Sequence, residues 1–322
     1  MNKLMRLTKI IFLAITLLST ISCVDDDDNG NIIDNSIPNN IIDFITNNEE
    51  YSTLLAAVNQ TGLTATLASP GPFTLFAPNN EAFEAFLGET ALEDMDNEVL
   101  TQVLLNHVLN FSVESDNLSS GYIKNLAIET TTEASLDMYI DTSSGILING
   151  ISTVTTPDIA VDNGTIHTVS TVIDLPNITT FIMADPNFSS LATVLTADDS
   201  FTYIETLQNS TNTAPAPFTL FAPDNNAFTS LLTDLDIENI SEIDINTLET
   251  ILDLHIVEEG IIRAESFIEF EGEGIVTSGG AVVTVLENLL TVIGPDGEEN
   301  LISLTDTQAV NGVIHTLGRV MR

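Results

Sequence analysis

Phe73-Thr74-Leu75-Phe76-Ala77-Pro78 recurs letter for letter as Phe218-Thr219-Leu220-Phe221-Ala222-Pro223. Both copies continue alike, as Asn79-Asn80-Glu81-Ala82-Phe83 and Asp224-Asn225-Asn226-Ala227-Phe228. The four apolar-rich residues read as a short buried strand, and the proline ends it. The next Asn or Asp reads as a helix N-cap, because its side-chain oxygen accepts from the free N–H groups of the first turn. Ala82, Phe83, Phe86 and Leu87 then fall on one helical face.

A second segment repeats in the same order. Asn163-Gly164-Thr165-Ile166-His167-Thr168 returns as Asn311-Gly312-Val313-Ile314-His315-Thr316. The remaining histidines, His107 and His255, are 148 positions apart, the same offset as His167 and His315. The chain is therefore two copies of one unit, and internal repetition of this length sets the domain plan. Tyr51-Ser52-Thr53-Leu54 matches Phe188-Ser189-Ser190-Leu191 at an offset of 137, whereas the first motif repeats at 145. The eight extra residues are expected in the polar stretch 209–217, read as an exposed loop.

Within each unit helices come first. Val99, Leu100, Val103, Leu104, His107 and Val108 predict one helix, and Leu248, Ile251, Leu252 and His255 its counterpart, with Asn246 and Glu249 as a capping box. Strands are expected at 136–140, 145–152, 165–173, 281–286 and 289–293, with a turn at Gly294-Pro295-Asp296-Gly297. Helices crowding the first half and strands the second make the fold class α+β.

The N-terminus reads as an address. Met1 to Lys9 is basic, Ile10 to Ile21 is almost unbroken apolar sequence, and Ser22-Cys23 closes it. Twelve apolar residues suit a signal peptide and are too few to span a bilayer. The arrangement resembles a bacterial lipoprotein signal, with Cys23 as the lipidation site, although Thr20 replaces the usual leucine three residues earlier. The acidic run Asp25-Asp26-Asp27-Asp28 resembles the export signal of surface lipoproteins in Bacteroidetes-type bacteria. That implies an outer-membrane, lipid-anchored, surface-exposed protein. The expected plan is a signal peptide over 1–22, an acidic tether over 23–38, and domains over 39–176 and 177–322. Cys23 is the chain's single cysteine, so no disulfide forms within the chain.

Charge excludes some partners. Of 322 residues 47 are acidic and 7 basic, and after Cys23 only Lys124, Arg263, Arg319 and Arg322 stand against all 47 acids, a net charge of −43. Such a surface repels nucleic acid and anionic lipid and favours cations or basic partners.

The two motifs, with a histidine on a mid-domain helix, resemble the fasciclin domain, and the resemblance covers both units. It implies a pair of tandem domains, each a β-sandwich or wedge flanked by helices. It also implies extracellular adhesion or matrix contact rather than catalysis. Members of the family often have Tyr or Asn before the mid-domain histidine; Asn106-His107 agrees and Leu254-His255 departs. In periostin-like proteins a Pro-Asp-Ile segment is linked to adhesion, and Pro157-Asp158-Ile159 resembles it. Asp158 and Ile159 are therefore the candidate adhesion surface; the second copy has Thr305-Asp306-Thr307 there.

Chemistry beyond binding finds little support. Each unit has two histidines and no cysteine, so no metal site and no cofactor are expected. There is no G-x-S-x-G, P-loop or G-x-G-x-x-G, which leaves a hydrolase without a motif. His167 sits in an alternating strand pattern and is expected to be buried and hydrogen-bonded to its own domain's backbone. The expected function is surface-anchored adhesion or extracellular binding, with an unidentified protein or polysaccharide as partner. Glycan capture in a polysaccharide uptake system is the alternative, a hydrolase the less favoured one.

Overall fold

The computed structural model describes residues 40–211, 213–270, 273–286 and 290–322. The signal segment, Cys23 and the acidic tether lie outside these residues.

The first repeat begins with helices α1 (Ile41–Asn47), α2 (Ser52–Gln60) and α3 (Thr64–Leu67). Strand β1 (Phe73–Pro78) follows, then α4 (Asn80–Leu87), α5 (Asn97–Asn106) and strands β2 (Val108–Leu109), β3 (Gly121–Ile128), β4 (Ser135–Asp141), β5 (Leu147–Ile148), β6 (Ser152–Val161) and β7 (Gly164–Val169). The second repeat has α6 (Ile178–Ala184), α7 (Ser189–Leu195), α8 (Tyr203–Leu207), β8 (Phe218–Pro223), α9 (Asn225–Leu235), α10 (Ile245–His255) and β9 (Ile256–Val257). It ends with β10 (Ile275–Val276), β11 (Val282–Leu286), β12 (Thr291–Ile293), β13 (Glu299–Ala309) and β14 (Gly312–Leu317). Apart from β1 and β8, the helices precede the strands in both repeats, the α+β order expected from the sequence.

Each repeat forms a seven-stranded sheet, ordered β2-β1-β7-β6-β5-β4-β3 and β10-β11-β12-β13-β14-β8-β9. The two repeated motifs are neighbours in it. β1 runs parallel to β7, with Phe73 opposite Gly164 and Pro78 opposite Val169. β8 and β14 repeat the register from Phe218–Gly312 to Pro223–Leu317. A side chain in the second motif would not fit: a Cβ on Gly164 or Gly312 would lie 2.0 or 2.3 Å from the carbonyl oxygen of Phe73 or Phe218.

Strand β1 is buried on both faces, and its alternation splits the core. Leu75 and Ala77 face the helices, packing with Ile41, Leu54, Phe83 and Val103. Phe76 faces the other way, into a second cluster with Met138, Ile140 and Ile148. Leu220 and Ala222 against Phe221 divide the second repeat in the same way.

The caps follow the reading in part. Asn79 and Asp224 accept from the N–H groups of Ala82 (2.9 Å) and Ala227 (2.8 Å). The cap of α10 lies two residues earlier than expected. Asp244 accepts from Thr247 N–H at 3.1 Å and Thr247 Oγ1 at 2.5 Å, so Asp-x-x-Thr starts the helix ahead of Asn246 and Glu249.

The expected strand 145–152 breaks at Asn149 and Gly150, whose φ values of 50° and 71° turn the chain between β5 and β6. The insertion in the second repeat is also divided. The carbonyls of Leu67 and Ser69 correspond to those of Leu207 and Asn209, an offset already three above that of the preceding helices. Three of the eight residues thus lie between α7 and α8, and five between Asn209 and Pro217. That second stretch is tied down: Thr211 Oγ1 donates to Val310 O at 2.8 Å, and Ala216 is buried.

The repeats dock through the β3–β4 end of the first. Tyr139 is buried in the second repeat's core, and Tyr122 meets Phe181 edge-on with centroids 5.3 Å apart. The Tyr122 hydroxyl donates to Asp185 Oδ2 at 3.0 Å. Asp137 Oδ2 accepts from Lys124 Nζ and from Gln308 N–H of β13, both at 2.6 Å. Burial raises the Asp137 carboxyl above the usual aspartate value, against the pull of Lys124 and the Gln308 bond. Lys124 remains half-exposed while Asp137 is buried, so removing the lysine leaves the more costly orphan. Lys124→Met is expected to lose roughly 2 kcal/mol at pH 7 and to recover part of it as Asp137 protonates in acid. Urea titrations at pH 7 and pH 4.5, referenced to the parent, measure this. An equal loss at both pH values would count against the pair.

Candidate functional site

The strand that pairs with the closing strand of each repeat carries a bulge, and the residues singled out by the sequence meet there. In β6, Thr156 pairs with Thr168 and Ile159 with Ile166, which leaves Pro157 and Asp158 opposite His167. In β13, Leu304 pairs with Thr316 and Thr307 with Ile314, so Thr305 and Asp306 face His315. Asp158 and Asp306 adopt φ values of 63° and 57°, a left-handed backbone that Asp tolerates better than most residues. Such a bulge takes a backbone N–H out of the ladder.

The histidine ring supplies the missing partner. Asp158 N–H donates to His167 Nδ1 at 3.2 Å, and Asp306 N–H to His315 Nδ1 at 3.3 Å. With Nδ1 accepting, the proton sits on Nε2, which donates to Val113 O at 3.0 Å or Ile262 O at 2.8 Å. Phe76 and Phe221 stack on the two rings at 5.5 Å. Burial lowers the pKa of both imidazoles, so the neutral tautomer is kept.

His107 and His255 use the opposite tautomer. Nδ1–H donates back to Val103 O (2.7 Å) or Ile251 O (2.6 Å), and Nε2 accepts from Ile173 N–H (2.8 Å) or Met321 N–H (3.1 Å). Each thus pins the segment after the closing strand to the mid-domain helix. Asn106 adds to this in the first repeat, donating to Ile173 O and Asp174 O at 3.0 and 3.1 Å. In the second repeat Leu254 packs into the apolar cluster with Phe267 instead.

The carboxylate of Asp158 caps the segment facing it. Oδ1 accepts from Ser115 N–H at 2.7 Å and Oδ2 from Ser115 Oγ at 2.5 Å, which holds the carboxyl below the ordinary aspartate range. Asp306 Oδ1 accepts from Ala264 N–H at 2.9 Å, with Arg263 Nη2 3.7 Å from Oδ2. Asp158 remains exposed, whereas Ile159 is half-buried against the helical core cluster. Of the two candidate adhesion residues, only Asp158 presents its side chain outward.

This arrangement resembles an Asp–His pair without its chemistry. Both ring nitrogens are committed to backbone groups, and Ser115 Oγ bonds to Asp158 rather than to a ring nitrogen. A nucleophile needs a base within hydrogen-bond reach. Among the described residues no group of three His, Cys, Asp or Glu side chains is placed to hold a metal ion.

Asn163 and Asn311 complete the framework. Asn163 Oδ1 accepts from Ile41 N–H at 3.0 Å, while Nδ2 donates to Leu67 O and Ser69 O, both at 2.8 Å. Its backbone carbonyl accepts from Phe73 N–H at 2.9 Å. One side chain therefore joins α1, the end of α3 and β1. Asn311 does the same with Ile178, Leu207 and Asn209.

The model of the fasciclin domain matches residues 49–176 and 186–322. The chain belongs to the fasciclin-domain family. Its fold is similar to that of a solved FAS1 domain pair from the insect cell adhesion molecule fasciclin I, with a TM-score of 0.53, 18% identity, and coverage of 86% of this chain and 98% of that one. Protein sll1483 of Synechocystis is 32% identical over 136 residues, 41% of this chain and 72% of its own length. Human periostin is 27% identical over 291 residues, 89% of this chain and 31% of its own length. The pig transforming growth factor-beta-induced protein ig-h3 is also 27% identical, over 89% of this chain and 38% of its own length. The chain spans only about a third of these two animal relatives.

Sequence reasoning found the motifs, the caps at Asn79 and Asp224 and the burial of His167. It missed Tyr122, Asp137 and Tyr139, because they meet the other repeat, and Lys124, because its partner is Asp137. The one available signal was a lone lysine in an acidic domain, which marks a position where a cation has a specific partner.

Proposed function

We propose that this protein is a cell-surface adhesion or extracellular binding protein, non-enzymatic, that acts through its two fasciclin domains. The observation that carries the reading is the docked domain pair, shared in fold with a pair from an insect cell adhesion molecule. The two modules pack directly on each other through Tyr122, Asp137 and Tyr139. The signal segment and Cys23 support anchoring by lipid at the outer membrane. Asp158, exposed on the first repeat's bulge, is the proposed contact in that domain.

Two measurements test this. Cys23→Ala should abolish fatty-acid labelling and release the protein from membranes; retention of the variant would sink the anchor. Deleting the gene should reduce attachment of the cells to matrix or to one another. Unchanged attachment, together with saturable binding of the purified protein to a polysaccharide, would replace adhesion by glycan capture.

A further inference from the structure

A cavity of about 440 Å³ lies at the junction of the two repeats. That size lies within the range of small-ligand sites, and domain junctions are where such sites concentrate. Its walls combine Tyr122 and Tyr139 from the first repeat with Phe188 and Leu304 from the second, and it carries the carboxylates of Asp185 and Asp224. None of its lining residues is basic. Asp185 is buried and Asp224 half-buried.

The repeats themselves show that the helix cap at Asp224 does not need a charge, and that the first copy carries no charge at the position of Asp185 either. The helix offset of 137 places Asp185 at the position of Asn48, and the strand offset of 145 places Asp224 at that of Asn79. Asn79 makes the same helix cap with its amide oxygen, accepting from Ala82 N–H at 2.9 Å as Asp224 accepts from Ala227 N–H at 2.8 Å. Asn48 ends α1 as Asp185 ends α6. At both positions the first copy has an amide and the second a carboxylate, and both carboxylates line the same cavity.

The bonds on the carboxylates leave capacity. Asp185 accepts from the Tyr122 hydroxyl at Oδ2 and from Asn187 N–H (2.9 Å) at Oδ1. Asp224 uses Oδ1 for its cap. An ionised carboxylate has about four lone-pair sites, so both retain acceptor capacity without a cationic partner among the lining residues. Aromatic walls with carboxylates, in a chain with a net charge of −43 beyond Cys23, attract a cation and repel an anion.

We propose that this cavity binds an alkylammonium group, either the end of a free diamine or the side chain of a lysine on a partner protein. The carboxylates take the ammonium, and the rings and Leu304 take the methylenes. This goes beyond the adhesion reading, and the double variant described next leaves Cys23 and Asp158 untouched, so an unchanged attachment phenotype and a lost amine site are separate results.

The test is titration of the purified protein with 1,4-diaminobutane and, in parallel, with Nα-acetyl-lysine methylamide, with sodium chloride at matched ionic strength and glucose as controls. The protein has no tryptophan, and two of its four tyrosines line the cavity, so tyrosine fluorescence reports on it directly. Saturable binding of an amine is expected, weakened at least about ten-fold in the double variant Asp185→Asn/Asp224→Asn, which restores the first repeat's own residues. Circular dichroism and thermal melting of that variant check that the fold is kept. Binding of the diamine alone assigns a free polyamine, and comparable binding of the lysine derivative assigns a partner's lysine. Binding of neither amine, binding that the double variant leaves intact, or a response to glucose in place of the amines would overturn the proposal.

Discussion

Replacing Asn163 by alanine should unfold the first repeat under conditions where the parent protein is intact. The substitution strands the buried N–H of Ile41 and removes the donor serving Leu67 O and Ser69 O. A buried backbone group left without a partner costs about 1–3 kcal/mol, so three together give roughly 3–5 kcal/mol once the carbonyls near the surface regain water. Asn311→Ala should do the same to the second repeat, where Ile178, Leu207 and Asn209 hold the equivalent positions. Asn163→Asp is the informative companion. It keeps the acceptor for Ile41 but sets a carboxylate against two carbonyl oxygens, so it should rescue nothing at neutral pH and something in acid. Urea unfolding followed by far-ultraviolet circular dichroism measures all three. A loss below about 1 kcal/mol for Asn163→Ala would mean that the amide is not the tie the geometry makes it.

Acid should weaken the protein well before its carboxylates titrate. Burial lowers His107 and His255 from the usual 6.5 to about 4. The unfolded chain therefore binds protons on these residues between pH 6.5 and pH 4 where the folded chain does not. Stability they contribute is present in full above pH 6.5 and is lost as pH falls towards 4. At pH 5 the loss is roughly 2 kcal/mol for each residue. His167 and His315 are shifted in the same direction, also by burial, and add to the loss. Asp137 acts with the opposite sign, since its raised carboxyl takes up a proton earlier in the folded state and returns some stability at the acid end. Unfolding free energies at pH 7 and pH 5 should differ by about 4 kcal/mol or more. Nitrogen chemical shifts should show His107 and His255 as the Nδ1–H tautomer and His167 and His315 as the Nε2–H tautomer at both pH values. Imidazoles that titrate near 6.5 would contradict this account.

The motifs were legible because each carries its own local physics. FTLFAP is apolar on both faces and stops at a proline, and Asn79 or Asp224 then caps a helix; none of this needs knowledge of the rest of the chain. That β1 lies beside β7 could not be read in the same way, because Phe73 and Gly164 are joined only by the completed fold. Strands β6 and β13 escaped for another reason. Residues such as Thr153, Thr155, Thr156 and Pro157 are exposed, so β6 shows almost no apolar alternation. The break at Asn149 had a signal, the Asn-Gly pair, which was absorbed into an apparently continuous run. The start of α10 offered two capping patterns two residues apart, and only the structure shows that Asp244 with Thr247 takes precedence. The candidate site behaves likewise. The burial of His167 was readable from its strand, whereas its true task, serving the N–H of Asp158 at a bulge, depends on a register that no single segment encodes.

The tie made by Asn163 and Asn311 also sets an order of events. Ile41 waits for a residue 122 positions further on, and Ile178 for one 133 further on. Few native contacts can be made early when the decisive ones have such separation, and the entropy of closing these loops must be spent before any strand pairing rewards it. Each repeat stays open until almost its last strand is available, because β7 or β14 has to lie against β1 or β8 for the sheet to be continuous. A chain of this design is slow to commit to structure while it emerges end-first: the first repeat can close only once β7 is present and the second only once β14 is.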